Sequence, residues 1–316
     1  ILPTVSNNVN PPPIEIISAR WIIPMDSDVS DINASENASA ETTVLNDHAI
    51  AIQDGIIIAL APRDQILSDY PGAAHTELNK HILLPGLINA HSHTAMTLLR
   101  GMADDYPLME WLEEHIWPAE QRCISHDFVR DGTELGIAEM LLSGTTCFSD
   151  MYFFPDATAA VAEKLGMRAQ INFPIFEMPS AWAQNAEEYF DKGLALSDEY
   201  RYSPLINTAF GPHAPYTVSN SSFERIVMLA EEIDCNIHVH LHETAFEVAS
   251  SIEQYGISPI ARLNELGALS PRTQAVHMTQ LDAESTNTLL ETGASVIHCP
   301  TSNLKLASGY CLALTS

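Results

Sequence analysis

His91 and His93 stand one residue apart in HILLPGLINAHSHTAMTLLRG, and they carry the first chemistry legible in this chain. Side chains alternate along a strand, so residues i and i+2 share a face. Residues 82–88, ILLPGLI, read as a short buried strand that delivers the two histidines at its C-terminal end. Paired imidazoles in that position can hold one divalent metal. A lone His-x-His is a weak signal, because hydrogen-bonded core histidines produce it too. Three further signals follow in chain order: Pro212-His213-Ala214-Pro215, His240-Leu241-His242-Glu243 and Val276-His277-Met278. Each closes an apolar, β-rich stretch, and the set together points to a metal site.

Other residues have a functional and a plain reading side by side. Glu243 lies three residues beyond His240, where a desolvated carboxyl could act as general acid and base. Its plain reading is an acid in a helix first turn, favoured by the helix dipole. Glu120, in EEHIWPAEQR, reads by itself as a surface acid. Trp111 and Trp117 could stack on a flat ligand, although aromatics at such spacing are more often core. His238 and His242 share a strand with His240 and read as structural. Ser302, Asn303 and His298 fall at or just after the end of another strand and could line a pocket.

The elements that must position these residues alternate. Residues 128–144, 157–166, 185–200, 221–234, 256–268 and 283–293 read as helices. Strands are expected to end near residues 90, 150, 175, 212, 242, 278 and 299. Such βα alternation implies a parallel sheet with helical crossovers, most simply a (β/α) barrel, whose chemistry sits at the strand C-terminal ends. Ahead of it, residues 14–25 read as a strand, 26–44 as an acidic loop and 48–62 as a hairpin turning at Asp54-Gly55. Residues 1–13 are polar and Pro-rich and read as a mobile tail.

The chain has 316 residues, 46% of them hydrophobic, enough for a large barrel and a smaller unit. Lys and Arg number 14 against 41 Asp and Glu, a formal charge of −27. That balance argues against nucleic acid or an anionic membrane as partner. The five cysteines show no CxxC spacing, which fits free thiols and a cytoplasmic location. There is no run of 18 apolar residues to span a membrane and no basic-plus-apolar leader, so no signal peptide is expected. The first residue is not Met, which suggests processing or trimming.

PGLINAHSHTAMTLLRG, FGPHAPYT, HLHETAFE and HCPTSNLKLASG, in this order, resemble the amidohydrolase superfamily. The similarity is to its cytosine/adenosine deaminase-like and triazine-hydrolase branch. It implies a (β/α)8-type metal-dependent hydrolase barrel over residues 83–316, with residues 14–82 as part of a composite β-sandwich. By this resemblance His91, His93 and His240 would ligate one Zn2+, with Fe2+ or Mn2+ as alternatives. Glu243 would shuttle a proton and His277 would orient the attacking water. Glu120 would grip ribose hydroxyls and His213 would contact the base, with His298, Asn303 and Trp117 as further substrate contacts. The implied reaction is hydrolytic deamination of an adenine nucleoside: 5-methylthioadenosine, S-adenosylhomocysteine or adenosine. A triazine or other heterocycle hydrolase is the alternative enzyme, and a non-catalytic binding protein the alternative of another class.

Two departures from the family pattern stand out. The segment after the third barrel strand, NFPIFEMPSAWAQ, has none of the arginines that some members carry there, which favours an apolar 5′ group over a charged one. The chain also stops at CLALTS, before the aspartate motif of an eighth strand. The expectation is seven barrel strands with open edges that favour a homo-oligomer. Asp282 is not a credible substitute for that aspartate.

Overall fold

A computed structural model describes residues 12–25 and 44–311. The chain divides into two compact units, Ile1–Gly86 and Leu87–Ser316. The expected tail and acidic loop lie outside the described residues, except for Pro12, Pro13 and Val44 and the flanks of the loop's neighbours.

The first unit is a five-stranded sheet. Its strands are β1 (Glu15–Ile22), β2 (Leu45–Asn46), β3 (His48–Gln53), β4 (Ile56–Pro62) and β5 (Ala74–Leu83). They run in the order β2-β1-β3-β4, with β5 parallel to β1. The hairpin turns where expected, at Asp54 and Gly55, with φ of 52° and 74°. Two successive positive φ values make the tight turn whose twist matches its flanking strands. Ile16, Ala49, Ala51 and Ile66 bury one face, Ile66 coming from the helix Arg63–Asp69. Strand β5 gives no sequence signal, because AHTELNKHIL is polar and mostly exposed and so carries no hydrophobic period.

The second unit contains all seven expected barrel strands. They are β6 (Leu87–Ser92), β7 (Thr145–Asp150), β8 (Arg168–Ile175), β9 (Ile206–Pro212), β10 (Asn236–Leu241), β11 (Thr273–His277) and β12 (Ser295–Ile297). Every neighbouring pair is parallel, in the order β12-β11-β10-β9-β8-β7-β6. The sheet curls round on itself. In a flat sheet β6 and β10 would lie about 19 Å apart, four strand spacings. Instead His91 on β6 is hydrogen-bonded to His238 on β10 at 2.8 Å. Its ring also lies 5.8 Å from that of His277 on β11. The unit is an α/β, nearly closed barrel of the (β/α)8 type, with seven strands among the described residues.

Residues 82–88 are not one buried strand. Ile82 and Leu83 end β5, while Leu87 and Ile88 open β6. Pro85 lacks an N–H and cannot continue a ladder. Ile88 is 71% exposed, since β6 pairs with β7 alone among the described residues.

Strand alternation sorts the second unit into two layers. Phe148, Phe173, Phe210, Val239 and Leu241 pack in one core with Tyr189, Phe190, Phe223 and Ile226 of the helices. The opposite face carries Ser149, Gln170, Asn172, His238 and Gln274, bonded to one another. Barrel interiors of this kind are usually filled by branched apolar side chains; here amides and imidazoles take their place. The helix Ala245–Tyr255 was not expected. Its signal was present as Thr244-x-x-Glu247, a capping box in which Thr244 accepts from the Glu247 N–H. No helix among the described residues is long and apolar enough to cross a membrane.

Candidate active site

Three imidazoles converge at the C-terminal ends of β6 and β10. His91, His93 and His240 each offer one ring nitrogen, all within 4.8 Å of one another. Their second nitrogens are occupied. Nδ1 of His240 donates to the His213 carbonyl at 2.8 Å, and Nδ1 of His93 donates to the Met151 carbonyl. A carbonyl only accepts, so in both rings Nε2 is left with a lone pair. Nδ1 of His91 faces Nε2 of His238 at 2.8 Å. Asp150 steadies the turn that carries His93, its carboxyl accepting from the Thr94 N–H at 2.6 Å.

Nε2 of His91 and Nε2 of His240 stand 3.2 Å apart. With the His240 proton held on Nδ1, its Nε2 turns a lone pair toward Nε2 of His91. That separation is close to the edge of a zinc tetrahedron with bonds of about 2.0–2.1 Å, namely about 3.3 Å. Burial, first, and the neighbouring histidines, next, hold His91 and His240 well below the ordinary imidazole value. Both are therefore neutral near pH 7, the form that donates to a metal. The donor set fits a divalent cation such as zinc.

Glu243 and His277 form the second half of the site. Oε1 of Glu243 lies 3.5 Å from Nε2 of His277. This is not an ion pair. Burial, then the Glu247 carboxyl, push Glu243 up to about 8, while burial takes His277 down to about 4. Near pH 7 both are uncharged, with the proton on Glu243. Nδ1 of His277 donates to Oδ1 of Asn303 at 2.7 Å, so its Nε2 lone pair faces Glu243. The backbone of His277 takes a φ of 79° and Met278 one of 49°. This left-handed conformation is uncommon outside glycine and is frequent at functional sites.

Glu243 is not the helix first-turn acid. It precedes the N-cap Thr244, and that helical place belongs to Glu247. The Glu247 carboxyl accepts from the N–H groups of His242 and Glu243 at 3.0 and 2.7 Å. Thr279 Oγ1 donates to the Glu243 carbonyl at 2.7 Å. The backbone of Glu243 is thus held on both sides.

His91, His93, His213, His240, Glu243 and His277 line one cavity of about 490 Å³, with His298 on its wall. A smaller adjoining pocket of about 80 Å³ shares His93, Trp111, Leu112 and His213 with it. Glu120 and Trp117 line that pocket, from the helix Trp117–Cys123. Glu120 is no surface acid: burial raises it to about 7, and Oε1 accepts from the Tyr152 hydroxyl at 2.6 Å. The His213 ring stacks on Phe176, and Nδ1 meets Thr217 Oγ1 at 3.0 Å.

Asn303, expected to touch substrate, does not line either cavity. The short helix Pro300–Lys305 turns Thr301 and Ser302 toward the opening and Asn303 inward, behind His277. Asp282 is a helix N-cap, accepting from the Ser285 N–H at 2.8 Å. His242 bonds the Gln280 carbonyl and the Ile260 N–H, which agrees with a structural role. The sequence reading missed Asp150, Tyr152, Glu247 and the part played by His238. Of these only His238 and Glu247 had a signal, the period of two with His240 and the capping box.

The chain is similar to known proteins. The amidohydrolase family pattern matches residues 82–314. The 5-methylthioadenosine/S-adenosylhomocysteine deaminase of Saccharophagus degradans is 52% identical over 94% of this chain, and that of Teredinibacter turnerae 50% over 93%. The chain spans 64% of the length of each of these relatives. The crystal structure of an adenosine deaminase from Xanthomonas campestris with bound zinc superposes with a TM-score of 0.88 at 47% identity. That match covers 95% of this chain and 66% of the other. An atrazine chlorohydrolase from Arthrobacter aurescens shares the fold, with a TM-score of 0.83 at 21% identity. The chain belongs to the amidohydrolase family.

Proposed function

We propose that this chain carries the catalytic centre of a zinc-dependent deaminase of adenine nucleosides, in which water replaces the 6-amino group and ammonia leaves. The observation that carries it is the pairing of protonated Glu243 with neutral His277, 3.5 Å apart, in the same cavity as three converging imidazole nitrogens. His91, His93 and His240 would hold the metal. Bound there, zinc supplies Lewis acidity that makes water nucleophilic near neutral pH.

The chain's own groups do the rest. The Glu243 proton passes to the ring nitrogen beside C6, which makes that carbon electrophilic. The His277 Nε2 lone pair accepts a hydrogen bond from the attacking water and orients it. A C6–O bond forms, and the C6–N bond breaks once the amine has been protonated. Glu243, deprotonated by its first transfer, accepts one water proton and passes it to the leaving amine; as the C6–N bond breaks it takes the remaining hydroxyl proton, so the C6 carbonyl forms, ammonia leaves and Glu243 is protonated again. Ammonia release by the purified, zinc-loaded chain tests the reading. Zinc bound with no ammonia released from any adenine nucleoside would favour a binding protein instead.

Glu243 donates only while protonated, and its carboxyl titrates near 8. kcat/KM is therefore expected to fall as pH rises through that value. A profile flat through the same range assigns the proton to another donor.

Glu120 and Tyr152 favour a nucleoside over a triazine. A carboxylate can accept from both hydroxyls of a vicinal diol, and a triazine has no diol. Glu120→Ala is expected to weaken kcat/KM for nucleosides by roughly 10- to 100-fold, the worth of a charged hydrogen bond of about 1.5–3 kcal/mol. The free base should be little affected. Equal losses on both substrates remove Glu120 from the sugar site. Neither Lys nor Arg is among the described lining residues, while Met96, Ile116, Phe153 and Phe176 are apolar. Such walls suit a methylthio or hydroxyl group at the 5′ position better than a charged amino acid.

A further inference from the structure

The interior of the barrel below the three histidines holds a file of hydrogen-bonded side chains. It starts at a backbone group. The Asp150 carbonyl accepts from Nδ2 of Asn172 at 2.8 Å. A carbonyl cannot donate, so the amide of Asn172 has one orientation, with Oδ1 left to accept. Nε2 of Gln170 supplies that donor at 2.8 Å, and its other hydrogen goes to Oε1 of Gln274 at 2.7 Å. Oε1 of Gln170 accepts from Nδ2 of Asn236 at 3.0 Å. The second hydrogen of Asn172 goes to Ser149 Oγ at 2.8 Å. Both amides are satisfied in this one polarity.

The polarity then propagates upward. Oε1 of Gln274 faces Nδ1 of His238 at 2.8 Å. An amide oxygen only accepts, so Nδ1 of His238 carries the proton and Nε2 carries a lone pair. That lone pair meets Nδ1 of His91 at 2.8 Å. The His91 proton is therefore on Nδ1, and its Nε2 is bare. The links cross the barrel from β7 through β8 and β11 to β10 and end on β6. His238 and Asn172, at the two ends of the file, are both 0% exposed, while Gln170 and Gln274 between them are half-buried.

His93 and His240 are set by single backbone carbonyls, whereas His91 has no carbonyl partner for Nδ1. We propose that the hydrogen-bonded file Asn172–Gln170–Gln274–His238 is the device that fixes His91 as the Nδ1–H tautomer and so keeps its Nε2 available to a metal. His238 and Gln274 are then positioning residues. The proposal rests on reading His91, His93 and His240 as ligands.

Outer partners of a metal-bound histidine are worth about 10- to 100-fold in metal affinity. His238→Leu and Gln274→Leu fill similar space and remove the acceptor or the link. Each is expected to weaken Zn2+ binding by about that factor, measured by competition with a chromophoric chelator. The double variant should lose little more than the worse single one, because both break one chain. Gln274→Glu keeps an acceptor toward His238 and should retain most of the affinity. Long-range 15N histidine spectra of the metal-free protein give an independent readout. The parent should show His91 protonated on Nδ1, and the Leu variants should show the Nε2–H form as well.

The outcomes separate the two claims. A parent chain that binds no zinc removes the ligand assignment itself. A parent that binds zinc, with both Leu variants within about twofold of it, overturns the relay and leaves the ligands standing. Losses that multiply in the double variant, or an unchanged His91 tautomer, also overturn it, and assign His238 and Gln274 to packing alone. If His238→Leu does not fold, Gln274→Leu and Gln274→Glu, one position further from the ligand, decide the matter.

Discussion

Replacing Glu243 by glutamine is expected to lower turnover of an adenine nucleoside by about 10²–10⁴-fold while zinc content stays at the parent level. The amide fills the space of the carboxyl, which is only 7% exposed. It can still meet Nε2 of His277 with an N–H, so the geometry of the pair survives. It cannot give up a proton and take one back. Glu243 is also separate from the three ligand imidazoles, so the metal should remain. The measurement is ammonia release beside metal analysis on the same preparation. A variant within about twofold of the parent would assign Glu243 to structure and leave the proton with some other group.

His93→Ala is expected to remove metal and activity together. In the proposed centre three imidazoles would hold the ion, and with two the site would lose a third of its donors. Ligand binding to the folded state raises stability by about 2.7–4.1 kcal/mol when the free ligand is at 100 to 1,000 times its dissociation constant. Added zinc should therefore raise the Tm of the parent and leave that of His93→Ala unmoved. The metal-free proteins provide the control. His93 also tethers the Met151 carbonyl, so the variant should melt somewhat lower even without zinc. Full zinc-dependent stabilisation of His93→Ala would take this residue out of the ligand set.

Much of the barrel was legible because its signals are local. A strand with apolar residues on one face and a helix with apolar residues at helical spacing show themselves within a dozen positions. The seven barrel strands and most of the helices between them lie where periodicity put them. Strand β5 and the helix Leu108–Glu110, with the helical residues that follow it to Cys123, did not announce themselves. The first is mostly polar, with few apolar residues to mark a strand, and the second mixes Trp111, Leu112, Ile116 and Trp117 with acids. Pro85 split what looked like one buried run into the end of one unit's strand and the start of the other's.

By itself the sequence determined which residue types stand at the strand ends: His91, His93, His213, His240 and His277, with Glu243 beyond. A period of two and the βα alternation are enough for that, because both depend on near neighbours. The tertiary structure decided how deep each side chain lies and what stands behind it. His238 and His240 share one face and one period, yet His240 joins the cluster with His91 and His93 while His238 sits a layer below it, against His91 and Gln274. Asn303 and Ser302 are adjacent in sequence, yet one backs His277 and the other opens on the cavity. The physical reason is register. Level partners across a barrel come from strands far apart in the chain, so the pairing of His238 with Gln274, and the proton positions that follow from it, exist only once the sheet has closed round on itself.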